Sequence, residues 1–328
     1  MVYDIYGNPI EAGGGNDGFS YVFDQNNILS ISNPTAMMLT FPAVYDAYDS
    51  LLASVEHEKN LLGYGTNSSG GQDQGLPIYE YVIPNPISKV YEQHPGWSIR
   101  PAPKVCLTSG IHGDERTAVV ALFNVVKALV TGSDSVSQTL RNAAQYRIVP
   151  IINPGGYNDK TRFNRHGVNL NRNFSYRWDA PGAQAPGSAP YSEYESKALK
   201  AWCDEQAPDT LFMIDFHNFE VSENTASYFY LFADIESWKN GFSVVCRGMR
   251  NHYLEQNIDL GEYSFFQQGN LVAGIASEFL QVHGVPAGGV ETPNDLYNPN
   301  NNQWVKPSAD LQGSFINYLL HNYRFPAD

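Results

Sequence analysis

The chain has 328 residues, 42% of them hydrophobic, and carries 34 acidic against 20 basic side chains, for a formal net charge of −14. This amount of apolar sequence is enough for one large folded domain. The negative charge argues against nucleic acid and anionic membrane surfaces as partners, because both are bound by a basic face.

The sequence predicts neither a membrane span nor a leader. The most apolar stretch, residues 118–130, is broken by Asn124 and Lys127. It is too short to cross a bilayer and predicts a buried helix. No basic segment followed by an apolar one opens the chain, so no signal peptide is expected. Only 16% of the residues are charged, which is in keeping with an extracellular or particle-associated protein but leaves the localisation open.

The first 40 residues differ in composition from the rest. They are rich in glycine, asparagine and serine, with three consecutive glycines at positions 13–15 and little apolar periodicity. We therefore predict an N-terminal extension or arm at residues 1–40, followed by one domain at residues 41–328.

Residues 41–328 alternate between helix and strand patterns. Apolar residues at helical spacing predict a first helix from Ala43 to about Glu58, and a glycine-rich loop at residues 63–75 follows it. Strands are predicted at Ile78–Ile83, Lys104–Ser109, Tyr146–Ile152, Leu211–Phe216 and Gly288–Glu291. Further helices are predicted at Glu115–Leu129, Ser192–Gln206, Glu236–Gln256, Leu271–His283 and Ser308–Tyr323. This order is typical of an α/β fold with a mixed, mostly parallel twisted sheet flanked by helices.

The first motif with chemical potential is His112-Gly113-Asp114-Glu115, between a predicted strand and a predicted helix. A histidine and a glutamate three residues apart at such a junction project to the same side of the first helical turn, where both can bind one ion. The alternative is that the acidic residues only complement the helix dipole while His112 is solvated. The motif alone leaves both interpretations open.

The second motif is Asp215-Phe216-His217-Asn218, at the end of an apolar strand. Ligand groups gather at the carboxyl ends of strands in open α/β sheets, so His217 is expected to lie near His112. Two histidines and one carboxylate with an open fourth position are typical of a hydrolytic zinc site. The alternative for His217 is a hydrogen-bonded core histidine.

Two further motifs supply charged groups. The predicted loop Asn153–Ala189 contains Arg162, Arg165 and Arg172, and a loop of that length in a compact domain is usually functional. Arginine binds carboxylates through paired hydrogen bonds and can stabilise an oxyanion, although structural ion pairs are the alternative. A short strand later ends at Glu291, a single carboxylate of the kind that acts as a general base beside a metal.

Together, these four motifs resemble the M14 zinc carboxypeptidase family, and particularly its bacterial branch that cleaves peptidoglycan peptides or small amidated substrates. The resemblance covers residues 40–323, and the motifs stand in the family's order. It implies that Zn²⁺ is held by His112, Glu115 and His217, and that Glu291 is the general base.

The resemblance also implies how the substrate is bound. Asn171 and Arg172 match the pair that binds the terminal carboxylate of the substrate. Arg162 matches the arginine that stabilises the oxyanion, with Arg165 as the alternative because the family varies in this spacing.

The chain departs from the family's pattern at two points. Asn169 stands where an aspartate usually orients a zinc-bound histidine. Asparagine accepts the same hydrogen bond without the charge, so zinc affinity is expected to be lower. The family's substrate-capping tyrosine has no clear counterpart, and Tyr263 is the nearest candidate.

The function implied is zinc-dependent, carboxypeptidase-like hydrolysis of a peptide or amide bond, with a peptide or muropeptide substrate that ends in a free carboxylate. A deacylase of N-acyl amino acids would use the same metal site. A non-catalytic protein attached to a larger assembly through residues 1–40, such as a phage tail or a cell envelope, would retain only the hydrolase fold. The paired Asn171 and Arg172 favour the peptidase.

Overall fold

Runs of apolar residues between polar turns produce alternating strands and helices in this chain. The computed structural model describes residues 2–3, 9–10, 27–86, 102–180, 182–220, 227–233, 235–266, 274–294 and 303–322. The strands are β1 (Val2–Tyr3), β2 (Pro9–Ile10), β3 (Glu58–Thr66), β4 (Gln72–Ile83), β5 (Lys104–Ser109), β6 (Gln145–Val149), β7 (Thr210–Glu220), β8 (Ser227–Phe232), β9 (Glu262–Phe266) and β10 (Ala287–Asn294). The helices are α1 (Phe41–Leu52), α2 (Arg116–Thr131), α3 (Ser135–Ala143), α4 (Pro154–Asp159), α5 (Tyr194–Gln206), α6 (Glu236–Leu254), α7 (Ile275–Ser277, continued by a π turn over Glu278–Val282) and α8 (Val305–Asn322).

Eight of these strands form one sheet in the order β3-β4-β6-β5-β7-β10-β8-β9, and β1 and β2 form a separate antiparallel pair. The central strands β6, β5, β7 and β10 run parallel to one another, as do β8 and β9. The pairs β3–β4, β4–β6 and β10–β8 are antiparallel. The predicted mixed, mostly parallel sheet flanked by helices is confirmed.

The central strands are apolar on both faces because the sheet is covered on both sides. In β7, Phe212, Ile214 and Phe216 belong to one buried cluster, whereas Met213 belongs to another. Since successive side chains of a strand point to opposite faces, the two clusters lie on opposite sides of the sheet.

The connections leave a crevice at the carboxyl ends of β5 and β7. From β5 the chain runs through α2 and α3 to β6, which pairs with one edge of β5. It then passes through α5 to β7, which pairs with the other edge of β5. Such a reversal is where open α/β sheets leave room for a ligand. His112 follows β5 and His217 lies in the second half of β7, so both side chains belong to this end of the sheet.

Three strands of the sheet, β3, β8 and β9, were not predicted from the sequence. β3 replaces the end of the predicted first helix and the start of the predicted glycine-rich loop. Its Gly63 is a packing residue, because a Cβ there would lie 2.9 Å from the Cβ of Ala198 in α5. Of the predicted helix Leu271–His283, residues 271–273 lie outside the described residues, and α7 begins at Ile275.

Residues 27–40 pack onto the domain. Leu29 and Ile31 are buried in the main core. Their backbone amides donate to Ser314 Oγ (2.8 Å) and Asp310 Oδ1 (2.9 Å) of α8. Ordered contacts therefore begin before the boundary predicted at residue 40, held by side chains of α8 rather than by a strand or helix of their own. The arm remains a prediction for residues 1–26, which lie outside the described residues apart from β1 and β2.

Within the described ranges, no single helix is long and apolar enough to cross a membrane. Helices α2 and α3 meet that test only when taken together across a bend of 92°, by length and composition alone.

Candidate metal centre and active site

Three side chains converge at the crevice: His112 in the turn after β5, Glu115 at the N-cap of α2, and His217 in β7. The Nδ1 atoms of His112 and His217 lie 2.6 and 2.8 Å from the two carboxylate oxygens of Glu115. One donor atom from each of the three residues lies within 4.8 Å of the others, and all three residues are buried. The structure thus brings these three predicted residues together.

Close backbone packing shapes the turn that carries two of these donors. A Cβ on Gly113 would lie 1.9 Å from the carbonyl carbon of Gly156 in α4, so only glycine fits there. The turn therefore rests on α4 while His112 and Glu115 face the crevice.

Each histidine is oriented by a second contact at its other ring nitrogen. His112 Nε2 lies 3.1 Å from Asn169 Oδ1, and His217 Nε2 lies 2.8 Å from Asp215 Oδ2. Asp215 is held in turn by the Thr108 hydroxyl, which donates to its Oδ1 at 2.6 Å. When the outer nitrogens donate to these acceptors, each Nδ1 atom keeps a lone pair for a cation bound together with Glu115, as metal-ligating histidines do.

The two histidines differ in their electrostatic surroundings. Burial lowers the pKa of His112. Burial acts in the same direction on His217, but Asp215 and Glu115 outweigh it and raise the pKa of that ring well above its usual value. Burial opposes ionisation of Glu115, yet His112 and His217 hold the pKa of its carboxyl well below the usual range. The surroundings thus shift the pKa values of the two rings in opposite directions.

The donor set fits a zinc ion. Two imidazole nitrogens and one carboxylate leave a coordination position open, as in hydrolytic rather than structural zinc sites. The outer contacts of His112 and His217 supply the support that such ligands receive. A dication would also neutralise the buried Glu115 carboxylate without a proton on His217. The predicted cofactor, Zn²⁺, is thus in accord with the chemistry of these residues.

Glu291 lies beside this group. In the parallel register of β7 and β10 it is paired with His217, so the two side chains point to the same face of the sheet. Its Oε2 atom is buried and has no hydrogen-bond partner in the part of the chain that the structure describes. Burial, reinforced by the charge of Glu115, raises the pKa of Glu291 to about 7. An unligated carboxylate with a pKa near neutrality is suited to accept and return a proton.

A cavity of about 330 Å³ opens in front of these groups. It is lined by Asp114, Glu115, Arg162, Asn218, Phe219, Glu220 and Glu291. The Nη1 atom of Arg162 donates to Glu115 Oε1 at 2.9 Å, from a side chain that is 38% exposed. Its guanidinium therefore stands between the metal group and the cavity, where it can reach a developing oxyanion.

The structure separates Arg165 from the other two arginines of the predicted loop. Arg165 forms paired hydrogen bonds with Asp159 (2.7 and 2.9 Å). Of the three arginines, Arg162 lines the cavity, whereas Arg165 and Arg172 do not. Arg172 is half-buried and donates to the backbone oxygen of Asn171 at 2.8 Å. Among the described residues it has no carboxylate partner, and burial together with the nearby Arg162 lowers its pKa. An anion bound by Arg172 would offset both the burial of its charge and the repulsion from Arg162.

Tyr263, the nearest candidate for a capping tyrosine, lies on β9 at the sheet edge and packs against the main core. It does not line the cavity, so its position gives no support for a capping role.

Sequence reasoning did not assign a role to Asn218. Its backbone amide donates to Glu115 Oε2 at 3.3 Å, and its side-chain oxygen accepts from the Ala118 amide of α2 at 3.0 Å. Asn218 therefore ties β7 to the first turn of α2 and sets Glu115 relative to His217. The sequence feature that could have indicated this role is a polar residue beside a histidine at the end of an apolar strand.

Residues 87–240 match the zinc carboxypeptidase family. Murein peptide amidase A of Escherichia coli (strain K12) is 32% identical over 119 residues, which cover 30% of this chain and 45% of that protein. Carboxypeptidase B of Astacus astacus is 30% identical over 139 residues, covering 36% of this chain and 46% of that protein. The match thus spans less than half the length of these relatives.

Solved structures extend the similarity to the fold. Thrombin activatable fibrinolysis inhibitor superposes with a TM-score of 0.66 at 16% identity, covering 87% of this chain and 74% of that chain. The metallo-carboxypeptidase from Burkholderia cenocepacia superposes with a TM-score of 0.58 at 18% identity, covering 86% and 68%. At these identities the likeness establishes a common fold.

Proposed function

We propose that this protein, whose residues 87–240 match the zinc carboxypeptidase family, hydrolyses a peptide or amide bond next to a free terminal carboxylate. The observation that carries the proposal is Glu291, which lines the same cavity as Arg162 beside the metal-binding group and whose Oε2 atom has no hydrogen-bond partner among the described residues. A purely structural metal site would need neither an unligated carboxylate nor an arginine at its open side.

The residues around the cavity have complementary parts in such a reaction. When bound, zinc supplies a Lewis acid that polarises a carbonyl and lowers the pKa of a coordinated water. Glu291 accepts the proton of the attacking water and passes it to the leaving nitrogen. Arg162 donates hydrogen bonds to the carbonyl oxygen as negative charge develops there. Asn169 and Asp215 keep the two histidines in position throughout.

The preference for a carboxylate end rests on Arg172 and Asn171. Arg172 carries a guanidinium that is half-buried, lies near the charge of Arg162 and has no carboxylate partner among the described residues. A free carboxylate of the substrate would supply the missing charge through paired hydrogen bonds. The adjacent Asn171 side chain offers a neutral donor for the same group. Substrates without a terminal carboxylate would leave Arg172 unpaired and bind weakly.

Peptides with a free carboxylate, muropeptides among them, form the substrate class that we propose. The name of murein peptide amidase A, with 32% identity over part of the chain, supports the inclusion of murein peptides. Attachment to a larger assembly through the N-terminal segment is a separate proposal, which rests on the composition of residues 1–40 alone.

A substrate panel tests the proposed function. Zinc-loaded protein should hydrolyse peptides with a free carboxylate, among them γ-D-glutamyl-diamino acid peptides, and should lose that activity when the metal is chelated. The same peptides with an amidated end should be poor substrates. Turnover of N-acyl amino acids alone would point to the deacylase, and no turnover across the panel would contradict a hydrolytic function.

A further inference from the structure

The segment between α4 and α5, residues 160–193, is here called the substrate loop because it carries Arg162, Asn169 and Arg172. In its described residues it contains one short 3₁₀ turn, Leu170–Arg172, as regular structure. A shift of about 1 Å in a substrate-binding side chain can lower the rate about a hundredfold. Contacts other than a helix or strand must therefore hold this loop in place.

Asn164 closes the first half of the substrate loop, two residues after Arg162. Its Oδ1 accepts from the Val168 backbone amide at 2.9 Å, and the backbone amide of Asn164 donates to the Val168 carbonyl at 3.0 Å. The side-chain amide then points away from this turn, donating to Glu193 Oε2 at 2.9 Å and to Glu195 Oε2 at 3.4 Å. The residue is 3% exposed.

Asn173 closes the second half, directly after Arg172. Its Oδ1 accepts from the Glu193 amide at 3.2 Å and from the Ser196 hydroxyl at 2.5 Å. Its Nδ2 donates to Ser192 Oγ at 2.9 Å. Both arginines of the active site are thus within two residues of an asparagine whose side chain reaches the start of α5.

The two halves meet at Glu193, the residue before α5. Its Oε2 accepts from Asn164 and lies 3.0 Å from His166 Nδ1, while its Oε1 accepts from Ser192 Oγ at 2.8 Å. Its side chain is buried, and within the described part of the chain His166 is the one basic side chain paired with it. A carboxylate kept in such a place is costly to desolvate unless its hydrogen bonds are made.

Glu195, two residues further on, attaches this junction to the sheet. Its carboxylate accepts from the backbone amide and the hydroxyl of Thr66, at 2.8 and 2.5 Å, at the end of β3. The substrate loop is therefore held through Glu193 and fixed through Glu195 to a strand of the main sheet.

We propose that Glu193 is a positioning residue for the reaction, which sets Arg162 and Arg172 for substrate binding by holding the two halves of the substrate loop together. This inference rests on the proposed function. Glu193 does not line the cavity. Its carboxylate acts on the first half of the loop through Asn164 and on the second half through Ser192 Oγ, which also accepts from Asn173.

The test compares Glu193→Ala, Glu193→Gln and a control, Glu80→Gln, in the full-length zinc-loaded protein. Glutamine can keep the geometry, because its oxygen accepts from Asn164 and His166 while its amide donates to Ser192. Glu80 is also buried, but it pairs with Arg147 (2.7 and 3.0 Å) on the sheet, so its loss affects the fold and not the loop.

Glu193→Ala should raise the KM of a free-carboxylate peptide about tenfold and lower kcat about 10- to 100-fold, because Arg162 and Arg172 are misplaced together. Amide hydrogen exchange across residues 160–193 should accelerate in this variant. Zinc content should stay near that of the wild type, since none of the three metal donors lies on the loop. Glu193→Gln should restore KM and kcat to within about threefold, and Glu80→Gln should lower the melting temperature without changing KM.

The inference is overturned if Glu193→Ala changes neither KM nor loop exchange, or if Glu80→Gln changes KM as much as Glu193→Ala does. If Glu193→Ala does not fold, His166→Ala removes a half-exposed partner of the same carboxylate. Faster exchange confined to the loop then supports the proposal, and unchanged exchange contradicts it. Hydrogen exchange needs no turnover, so a wild type without peptidase activity would refute the proposed function separately.

Discussion

The candidate active site has a strand half and a loop half, and the two are held in place by different means. In the strand half, His217 and Glu291 are paired in the register of β7 and β10, and His112 follows the neighbouring β5. In the loop half, Arg162 and Arg172 lie on a segment with little regular structure and depend on side-chain hydrogen bonds at its ends. Backbone pairing positions the first group, and polar side chains position the second.

The difference separates metal binding and proton transfer from contacts with the substrate. Metal binding and proton transfer need fixed distances, which the central strands provide because their hydrogen-bond ladder is buried and continuous. The contacts with the substrate come from Arg162 and Arg172 on the loop, and loops on a rigid scaffold carry such contacts in many folds. We therefore expect changes in the strand half to abolish function and changes in the loop half to reduce it by degrees.

The largest effect is expected from loss of a metal ligand. His112→Ala and His217→Ala should each remove most of the zinc and bring kcat/KM close to background, because two donors no longer form a stable hydrolytic site. Metal analysis after dialysis measures this, with His57→Ala as a control outside the site. Full zinc occupancy in either ligand variant would show that the assignment is wrong.

Removing the base should spare the metal. Glu291→Gln is expected to keep zinc and fold while kcat falls by about 10² to 10⁴, the usual contribution of general acid–base catalysis. Steady-state kinetics and metal analysis on the same preparation check both parts. Loss of zinc in this variant would instead make Glu291 a ligand.

The raised pKa of Glu291 predicts a pH effect on the stability of the chelated protein. Its folded-state pKa is about 7 against an ordinary value of 4.5, so folding favours the protonated form. The resulting stability is present below the ordinary value and is lost as pH rises through about 7. Since glutamine does not ionise, the melting temperature of chelated Glu291→Gln minus that of the chelated wild type should be larger at pH 8 than at pH 5. An equal difference at both pH values would contradict the shift.

In the loop half, Arg172→Ala should raise KM by about 10- to 100-fold for peptides with a free carboxylate and matter little for amidated ones, as loss of a charge-assisted pair does. Arg162→Ala should lower kcat for both forms, because an oxyanion stabiliser acts in the transition state. The test is to measure kcat and KM of each variant on both forms of the substrate. Arg165→Ala should resemble the wild type. Equal impairment of both substrate forms through kcat alone in Arg172→Ala would rule out the carboxylate contact.

The smallest effect should come from the contacts behind the histidines. Asp215→Asn is expected to weaken zinc binding by about tenfold, within the usual range for such partners. Asn169→Asp should strengthen it by up to about tenfold, because a charge is then placed behind His112 as one already is behind His217. Competition with a metal chelator measures both. Weaker binding in Asn169→Asp would indicate that the loop does not tolerate the charge.

The sequence by itself determined the α/β fold and the residues of the strand half. His112, Glu115, His217 and Glu291 each stand at the end of an apolar strand or the start of a helix, and the carboxyl ends of neighbouring strands meet at one edge of a sheet. Local patterns are therefore sufficient to bring these side chains together, even though they are far apart in the chain.

Only the tertiary structure decided the remainder. Arg162 and Arg165 are equivalent as sequence, and what separates them is the Asp159 carboxylate that engages Arg165 and the Glu115 oxygen within reach of Arg162. The packing of Leu29 and Ile31 depends on side chains of α8 about 280 positions later. Glu193 meets Asn164 across 29 positions of irregular loop. Contacts of this kind follow no period of 2 or 3.6 residues, so they exist only once the chain has folded.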